Sequence, residues 1–158
     1  MTTELRTTTV SNPSALLDLV GVELGTSAPL AVTQEEVDTF ADLTRDHQWI
    51  HVDVDRAAAG PFGATVVHGF FTLALLPRLL ADLLVVEGFS MGVNYGLDRV
   101  RFVRPLSPGV EVRAVASLVA AAPIDDGKGV QATARVTLEF ADDAQTCCVA
   151  DMVFRYYD

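Results

Sequence analysis

The segment that most limits the possible folds is an apolar stretch from Val66 to Val86, which as a helix would be hydrophobic on nearly every side. Such a helix has no polar face for solvent, so it is expected to be buried inside a domain. Pro77 lies within the stretch, and we expect it to bend or divide the helix because proline removes a backbone hydrogen bond. Pro77, Arg78 and Asp82 also interrupt the apolar run, which argues against a membrane span.

From Gly92 onward the sequence has the pattern of β-strands separated by short turns. Successive strands joined in this way predict an antiparallel meander. An antiparallel sheet wrapped around one central apolar helix is the hot-dog fold, so the sequence predicts a single α+β domain of that architecture. The four predicted strands are Val93 to Val103, Glu111 to Ala120, Val130 to Phe140 and Thr146 to Tyr156.

The N-terminal part is predicted to contain an arm and then the start of the domain. Residues 1–13 are mostly polar, and chain termini of this kind are commonly mobile. We therefore predict a flexible arm over 1–13 and the hot-dog domain over 14–158. Thr33 and Glu36 have the spacing of a capping box, which predicts a helix that begins directly after Thr33.

Composition narrows the class of protein. The chain has 158 residues, of which 50% are hydrophobic, and this is enough for one domain with its own core. Its formal net charge of -10 disfavours nucleic acid and anionic membranes as partners, because both bind positive surfaces. The first residues lack a basic start followed by an apolar run, so we expect a cytoplasmic protein. Cys147 and Cys148 are neighbours, which makes a disulfide framework improbable.

The segment from Arg45 to Phe62 has no regular periodicity, and irregular segments inside a compact domain are often functional. Asp46 and His51 stand five residues apart within it. A carboxylate and an imidazole that converge can hold and deprotonate a water molecule, or protonate a departing hydroxyl. The alternative is that Asp46 only caps a helical turn and that His51 is an ordinary loop histidine.

The dipeptide His68-Gly69 stands at the start of the predicted helix. A glycine there leaves its backbone N–H unobstructed at a helix N-terminus, where a developing negative charge is favoured. Such an amide is suited to stabilising the enolate oxygen of a thioester. The alternative explanation of Gly69 is close packing against a strand.

Three segments together resemble the MaoC-like, (R)-specific enoyl-CoA hydratases. FADLTRDHQWIHVDVDRA, residues 40–57, resembles the hydratase signature of that family. PFGATVVHGFFTLALLPRLL resembles the segment that follows the signature, and NYGLDRVRFVRPLSPG resembles the next strand and turn. The resemblance implies that Asp46 and His51 activate water and that the amide of Gly69 receives the thioester oxygen.

The same resemblance implies an activity and a partner. The activity is reversible hydration of trans-2-enoyl-CoA to (3R)-hydroxyacyl-CoA in fatty-acid metabolism, without a cofactor. The implied protein is a homodimer that acts on thioesters of coenzyme A or of acyl carrier protein.

The sequence departs from the family pattern at three places. Arg45 replaces the usual glycine before the aspartate, and Gln48-Trp49 replaces the usual Asn-Pro after it. A serine that assists in some members falls at Pro77. These changes leave Asp46 and His51 in place and bear on the preference for the acyl chain.

Several further residues are candidates for contact with substrate. Arg99 and Arg101 should share one strand face, and with Arg104 they form a basic strip that is suited to the phosphates of coenzyme A. A solvated outer face is the more ordinary explanation of that strip. Asn94 and Tyr95 are candidates for lining an acyl tunnel, although sheet packing explains them equally well.

Trp49 and His68 are candidates for shaping the pocket, and aromatic packing is the alternative for Trp49. His47 and His51 also have the i, i+4 spacing of two metal ligands on a helix. Gln48 replaces the glutamate that a zinc hydrolase needs as a base, so a metal site is not expected.

Two other functions remain open from the sequence. A hot-dog thioesterase typically has a carboxylate on or near the central helix, where this sequence offers Asp82. A non-catalytic acyl-thioester-binding subunit of a dehydratase would not need Asp46 and His51. The sequence does not determine the length of the acyl chain or the thioester carrier. It does not determine the physiological direction either, because hydration and dehydration share one transition state.

Overall fold

The computed structural model describes residues 7–157, in which short helices pack on an antiparallel sheet. In chain order its elements are β1 (Thr8–Val10), a 3₁₀ helix (Pro13–Leu19), β2 (Glu23–Thr26), β3 (Leu30–Ala31), α1 (Gln34–Thr44), α2 (Trp49–Val52), α3 (Val54–Ala58), α4 (Gly69–Ala74), α5 (Leu76–Leu80), β4 (Leu84–Val86), β5 (Met91–Phe102), β6 (Glu111–Ile124), a 3₁₀ turn (Asp125–Gly127), β7 (Gly129–Phe140) and β8 (Thr146–Tyr157). None of these helices is long and apolar enough to cross a membrane.

The main sheet is antiparallel, with its strands in the order β2-β6-β7-β8-β5 and with β3 also paired to β6. The predicted meander is confirmed for β6, β7 and β8, which are consecutive in sequence and in space. It is wrong for β5, which pairs with β8 instead of β6. In the connection from β5 to β6, Leu106 is buried and its carbonyl accepts a hydrogen bond from the N–H of Val67. The connection therefore runs past the start of α4.

The core lies between α5 and one face of the sheet. Every second residue of β6 from Val112 to Leu118 is buried, which is the period of a strand with one face on the core. Two of these residues are alanines, and their small side chains let α5 approach β6 closely. Leu76, Leu79 and Leu80 of α5 fill the space, and full burial of each leucine side chain contributes about 1.5–3 kcal/mol.

The central helix is shorter than the apolar stretch 66–86. α4 ends at Ala74 and α5 begins at Leu76, so the stretch is divided at Leu75, and Pro77 lies in the first turn of α5. The predicted division near this proline is therefore confirmed. The predicted extension to Val86 is wrong, because Leu84–Val86 forms β4 and pairs in parallel with β1. Valines are β-branched and favour a strand where a partner strand is available.

The N-terminal part contains two short elements, β1 and the 3₁₀ helix. β1 lies within the segment predicted as an arm, and the side chain of Asn12 caps the following 3₁₀ helix by accepting a hydrogen bond from the N–H of Ala15. Residues 1–6 lie outside the described residues, and for them the flexible arm stays a prediction.

A charged pair joins β7 and β8. Nε of Arg135 donates to one carboxylate oxygen of Asp151 at 2.7 Å, and Nη2 donates to the other at 2.8 Å. These hydrogen bonds hold the pKa of the Asp151 carboxyl below its usual range against the opposing effect of burial, and the charge of Arg99 lowers that pKa further.

We expect this pair to make part of the stability sensitive to acid. The folded-state pKa of Asp151 lies below the unfolded value of about 3.9, so the contribution is complete above that value and is lost as the pH falls through the folded pKa. Asp151→Asn should therefore lower the free energy of unfolding at neutral pH and have a smaller effect in acid, below the unfolded pKa of about 3.9. Urea unfolding under the two conditions measures the difference, and an equal loss in both would contradict the assignment.

Candidate active site

The loop that carries Asp46 begins where α1 ends. The predicted capping box at the other end of α1 is confirmed, since the N–H of Thr33 donates to the Glu36 carboxylate at 2.8 Å and the N–H of Glu36 donates to Oγ1 of Thr33 at 3.2 Å. After α1, Arg45 takes a left-handed conformation with φ of 63° and turns the chain out of the helix. Glycine adopts this conformation most easily, which explains why the family pattern has glycine at this position.

We expect Arg45→Gly to stabilise the protein. A non-glycine residue in the left-handed region costs about 1–2 kcal/mol, and the greater freedom of glycine in the unfolded chain offsets about 0.5–1 kcal/mol of that. The free energy of unfolding should rise by about 0.5–1 kcal/mol in urea unfolding. Arg45→Ala removes the same side chain but keeps the strained backbone, so it should show no such gain. A glycine variant that is less stable than wild type would refute this explanation.

His51 is held by the backbone of the segment before α4. It lies on α2 and is only 6% exposed. Its Nδ1 donates to the carbonyl oxygen of Val66 at 2.6 Å, and the N–H of Val66 donates to the carbonyl of Ile50 at 2.9 Å. Because a carbonyl oxygen only accepts, Nδ1 carries a proton, and Nε2 has the lone pair that a general base needs.

His68 lies directly before α4, and its ring is turned into the protein, where it is 3% exposed. Its Nε2 donates to the backbone carbonyl of Asp46 at 2.9 Å. Its ring stacks on that of His51, with 3.8 Å between the ring centroids and 22° between the planes. The ring of Phe40 lies 5.0 Å from it. His68 therefore joins the segment before α4 to the Asp46 loop and to His51.

The structure brings Asp46, His51 and His68 together, with a side-chain nitrogen or oxygen of each within 4.8 Å of the other two. A zinc ion would need lone pairs that converge on a point about 2 Å from each nitrogen. Two nearly parallel stacked rings direct their in-plane lone pairs side by side, which is poor geometry for one ion. The arrangement is better suited to proton transfer between Asp46, His51 and a small oxygen-containing group.

Gly69 is the first residue of α4, so its N–H has no acceptor within the helix. A Cβ at this position would lie 3.1 Å from the ring of Phe102. Gly69 therefore also packs closely against β5, which is the alternative explanation of this glycine. A cavity of about 310 Å³ is lined by His51, Gly69, Phe102, Arg104 and Cys147, among other residues. We call it the His51–Gly69 cavity.

The thiol of Cys147 lines the His51–Gly69 cavity but is not a nucleophile. Burial raises the pKa of Cys147 to about 12 and that of Cys148 to about 11. Since the thiolate is the reactive form, both thiols are inert near neutral pH.

Comparison with known proteins identifies the family of this chain. The sequence matches the family model of the MaoC-like domain over residues 17–139. The chain belongs to the MaoC-like family. A relative, 3-hydroxyacyl-thioester dehydratase Z from Mycobacterium tuberculosis, is 49% identical over 148 residues, which cover 94% of this chain and 97% of the relative.

Solved structures confirm the hot-dog fold. The (R)-hydratase from A. caviae involved in PHA biosynthesis is 26% identical with a TM-score of 0.62, and the match covers 84% of this chain and 96% of the hydratase chain. A chain of the C-terminally truncated HadBC complex, a (3R)-hydroxyacyl-ACP dehydratase from Mycobacterium tuberculosis, is 17% identical with a TM-score of 0.67, with coverage of 82% and 93%. At that identity the second match shows the fold alone.

In this MaoC-like domain, Trp49 packs within its own loop. The guanidinium of Arg56 lies 4.4 Å from the centroid of the indole, and a Cβ on Gly60 would lie 3.1 Å from the same ring. Trp49 does not line the His51–Gly69 cavity. These contacts support its role in loop packing, and its contact with substrate stays a prediction.

Asn94 and Tyr95 are neighbours on β5 but have different surroundings. Asn94 lines a second, largely apolar cavity of about 260 Å³, which also contains Phe70 and Leu97. The ring of Tyr95 lies instead under the guanidinium of Arg155, at 3.4 Å from the ring centroid. The register of β5 against β8 shifts between Asn94 and Gly96, and of these two neighbours only Asn94 lines the second cavity.

The arginine strip is interrupted by a β-bulge. Arg99 has φ of 53°, and the register of β5 against β8 shifts between Asp98 and Arg101. Simple alternation does not extend through a bulge, so the prediction that Arg99 and Arg101 share a face loses its basis. Arg101 donates to the carbonyl of Val100, and of the three strip arginines Arg104 lines the His51–Gly69 cavity.

Gln34, the first residue of α1, makes contacts with the site that the sequence did not predict. Its Nε2 donates to the backbone carbonyl of His51 at 2.8 Å, and Oγ1 of Thr65 donates to its Oε1. Gln34 thus ties α1 to both segments that form the site. Its partners lie 17 and 31 residues away, and no periodicity or motif spacing signals such a contact.

Asp82, the carboxylate that a thioesterase would use, lies after α5. It accepts a hydrogen bond from Arg78 at 2.6 Å, an i,i+4 pair. It is not part of the cluster of Asp46, His51 and His68. The geometry therefore gives the thioesterase alternative no support.

Proposed function

We propose that the protein is a 3-hydroxyacyl-thioester dehydratase that also catalyses the reverse reaction, hydration of trans-2-enoyl-CoA to (3R)-hydroxyacyl-CoA in fatty-acid metabolism. The approach of Asp46 and His51 to within 4.8 Å, beside a cavity that contains Gly69, is the observation that carries the proposal. The relative from Mycobacterium tuberculosis is named as a 3-hydroxyacyl-thioester dehydratase, which bears out the enzyme class predicted from the sequence.

In the hydration direction the proton transfers begin at water. The water molecule lies between the Asp46 carboxylate and Nε2 of His51, and this pair takes one proton as the water oxygen bonds to the β-carbon. The electron pair of the C=C bond moves toward the thioester carbonyl, and negative charge develops on its oxygen. A proton is then delivered to the α-carbon from the same side, which gives the 3-hydroxyacyl thioester. Dehydration is the reverse sequence.

The amide of Gly69 supports this reaction as a donor to the thioester oxygen. Its N–H is free of helical hydrogen bonding, and no side chain of its own covers it. A fixed donor at the point where charge develops needs no reorganisation during reaction, and one such donor contributes on the order of 10²–10³-fold in rate.

Arg104 supports a phosphorylated thioester carrier. It is among the residues that line the His51–Gly69 cavity, and a guanidinium binds phosphate through charge-assisted hydrogen bonds. Coenzyme A and the prosthetic arm of acyl carrier protein both contain phosphate, so this residue fits either carrier. Arg99 and Arg101 stay candidates for the same contact.

We expect Asp46→Asn and His51→Gln each to lower kcat for hydration of crotonyl-CoA on the order of 10²–10³-fold, because each variant loses a proton-transfer group. Loss of enoyl-thioester absorbance measures the rate, and a longer 2-enoyl-CoA measured beside it reports chain-length preference. His47→Gln is the matched control. His47 is exposed and pairs with Asp42 on α1, so its replacement should leave kcat unchanged.

The outcomes separate the competing functions. Near-normal turnover in both the Asp46 and the His51 variant would refute the proposed roles. Binding of the thioester by wild type without turnover would indicate a non-catalytic subunit. Release of free thiol would indicate a thioesterase.

We also propose a homodimer in which two sheets join along β5. Among the described strands β5 lies at one end of the main sheet. Its side chains Leu97 and Phe102 are exposed, and the nearby Phe70 is 74% exposed. A free strand edge beside exposed apolar side chains is unfavourable in a monomer, which supports a second copy at this position. The HadBC dehydratase is itself a complex. A cytoplasmic location stays a prediction from the sequence.

We expect wild type to sediment as a dimer at micromolar concentration and Leu97→Asp to shift it toward monomer, because a carboxylate would be buried in the interface. Leu43→Asp is the matched control, since Leu43 is an exposed leucine on α1. A wild-type monomer, or equal dissociation in both variants, would exclude this interface.

A further inference from the structure

His68 contacts each part of the proposed site. Its Nε2 bonds to the carbonyl of Asp46, its ring stacks on His51, and its peptide bond leads directly to the N–H of Gly69. It occupies the capping position of α4, but its side chain makes no capping hydrogen bond. The ring is directed inward instead, although a small polar residue that caps the helix is the ordinary choice at this position.

The hydrogen bonds specify one form of the His68 ring. Nε2 faces a carbonyl oxygen, which only accepts, so Nε2 carries the proton. Nδ1 is buried and has no hydrogen-bond partner. A second proton there would be a buried charged donor without an acceptor, which is more costly than an unpaired lone pair. His51 shows the opposite arrangement, with its proton on Nδ1 toward Val66.

The location of Asp46 makes this contact important. Asp46 follows the strained Arg45 and lies in a loop between α1 and α2, with its side chain exposed. The hydrogen bond from His68 therefore fixes the backbone of an otherwise exposed residue relative to the start of α4. A shift of about 1 Å in a reacting group can reduce the rate by about 10²-fold.

We propose that His68 is a positioning residue for the reaction described above, which holds the carbonyl of Asp46 through Nε2–H and supports the ring of His51 by stacking. It sets the distance between the acid–base pair and the Gly69 amide. This inference rests on the proposed function.

Two variants separate the hydrogen bond from the packing. His68→Phe keeps a ring against His51 and Phe40 but has no donor, whereas His68→Gln loses the ring and offers an amide donor close to the position of Nε2. We expect kcat on crotonyl-CoA to fall by about 10- to 100-fold in the phenylalanine variant, with KM changed by less than about threefold. The kcat of the glutamine variant should be at least about fivefold higher than that of the phenylalanine variant, even if the glutamine variant is less thermally stable.

A phenylalanine variant with wild-type kcat would overturn the inference, and so would kcat values that follow thermal stability instead of the presence of the donor. The His47→Gln control again checks that a histidine outside the site has no effect. The folded fraction of each variant, measured by circular dichroism, corrects kcat for unfolded protein.

A spectroscopic measurement tests the inference even if the variants fail to fold. The chain has 3 histidines. Long-range ¹H–¹⁵N spectra of wild type labelled with ¹⁵N-histidine can therefore be assigned with variants in which one histidine at a time is replaced. We expect His68 in the Nε2–H form and His51 in the Nδ1–H form. A His68 ring that carries its proton on Nδ1 and none on Nε2 would overturn the inference, because it could not donate to the carbonyl of Asp46. Wild type that shows the expected forms but no turnover would refute the proposed function and leave the contact to Asp46 established.

Discussion

Leu76, Leu79 and Leu80 are buried against the alanine-rich face of β6, and this contact determines where the central helix can lie. The helix in turn fixes the start of α4 at Gly69. The segment that leads into it then passes beside α2, where the N–H of Val66 donates to the carbonyl of Ile50 and His51 donates to the carbonyl of Val66. The site is therefore assembled from hydrogen bonds between α2 and the segment before α4, and this segment is itself anchored by the buried side chains of Val66 and Val67.

Backbone carbonyls do much of the chemical organisation in this site. Each of the two stacked histidines donates from one ring nitrogen to a carbonyl, and the two rings use opposite nitrogens. No ionised partner is needed to select the tautomers, because a carbonyl oxygen can only accept. This matters in an acidic protein of net charge -10, where a carboxylate that fixed each ring would add further negative charge beside Asp46.

The sequence predicted those features that depend on neighbours in the chain. The capping box at Thr33, the division of the helix near Pro77 and the strand pattern after Gly92 are local signals, and the structure contains all three. The pairing of β5 with β8, the strand at Leu84–Val86 and the contacts of Gln34 depend on segments distant in sequence. The closeness of Asp46 and His51 was expected from the family resemblance, whereas the stacking of His68 on His51 had no counterpart in any motif.

The buried thiol of Cys147 has a consequence for the His51–Gly69 cavity, which is proposed to receive 2-enoyl thioesters. Such thioesters are electrophiles at the β-carbon, and a thiolate beside them would add there and alkylate the protein. With its pKa raised to about 12, the Cys147 thiol stays protonated at neutral pH. The sulfur can thus serve as part of the apolar wall without competing with water for the substrate. Burial gives this enzyme protection from self-inactivation at a position where an exposed cysteine would be a liability.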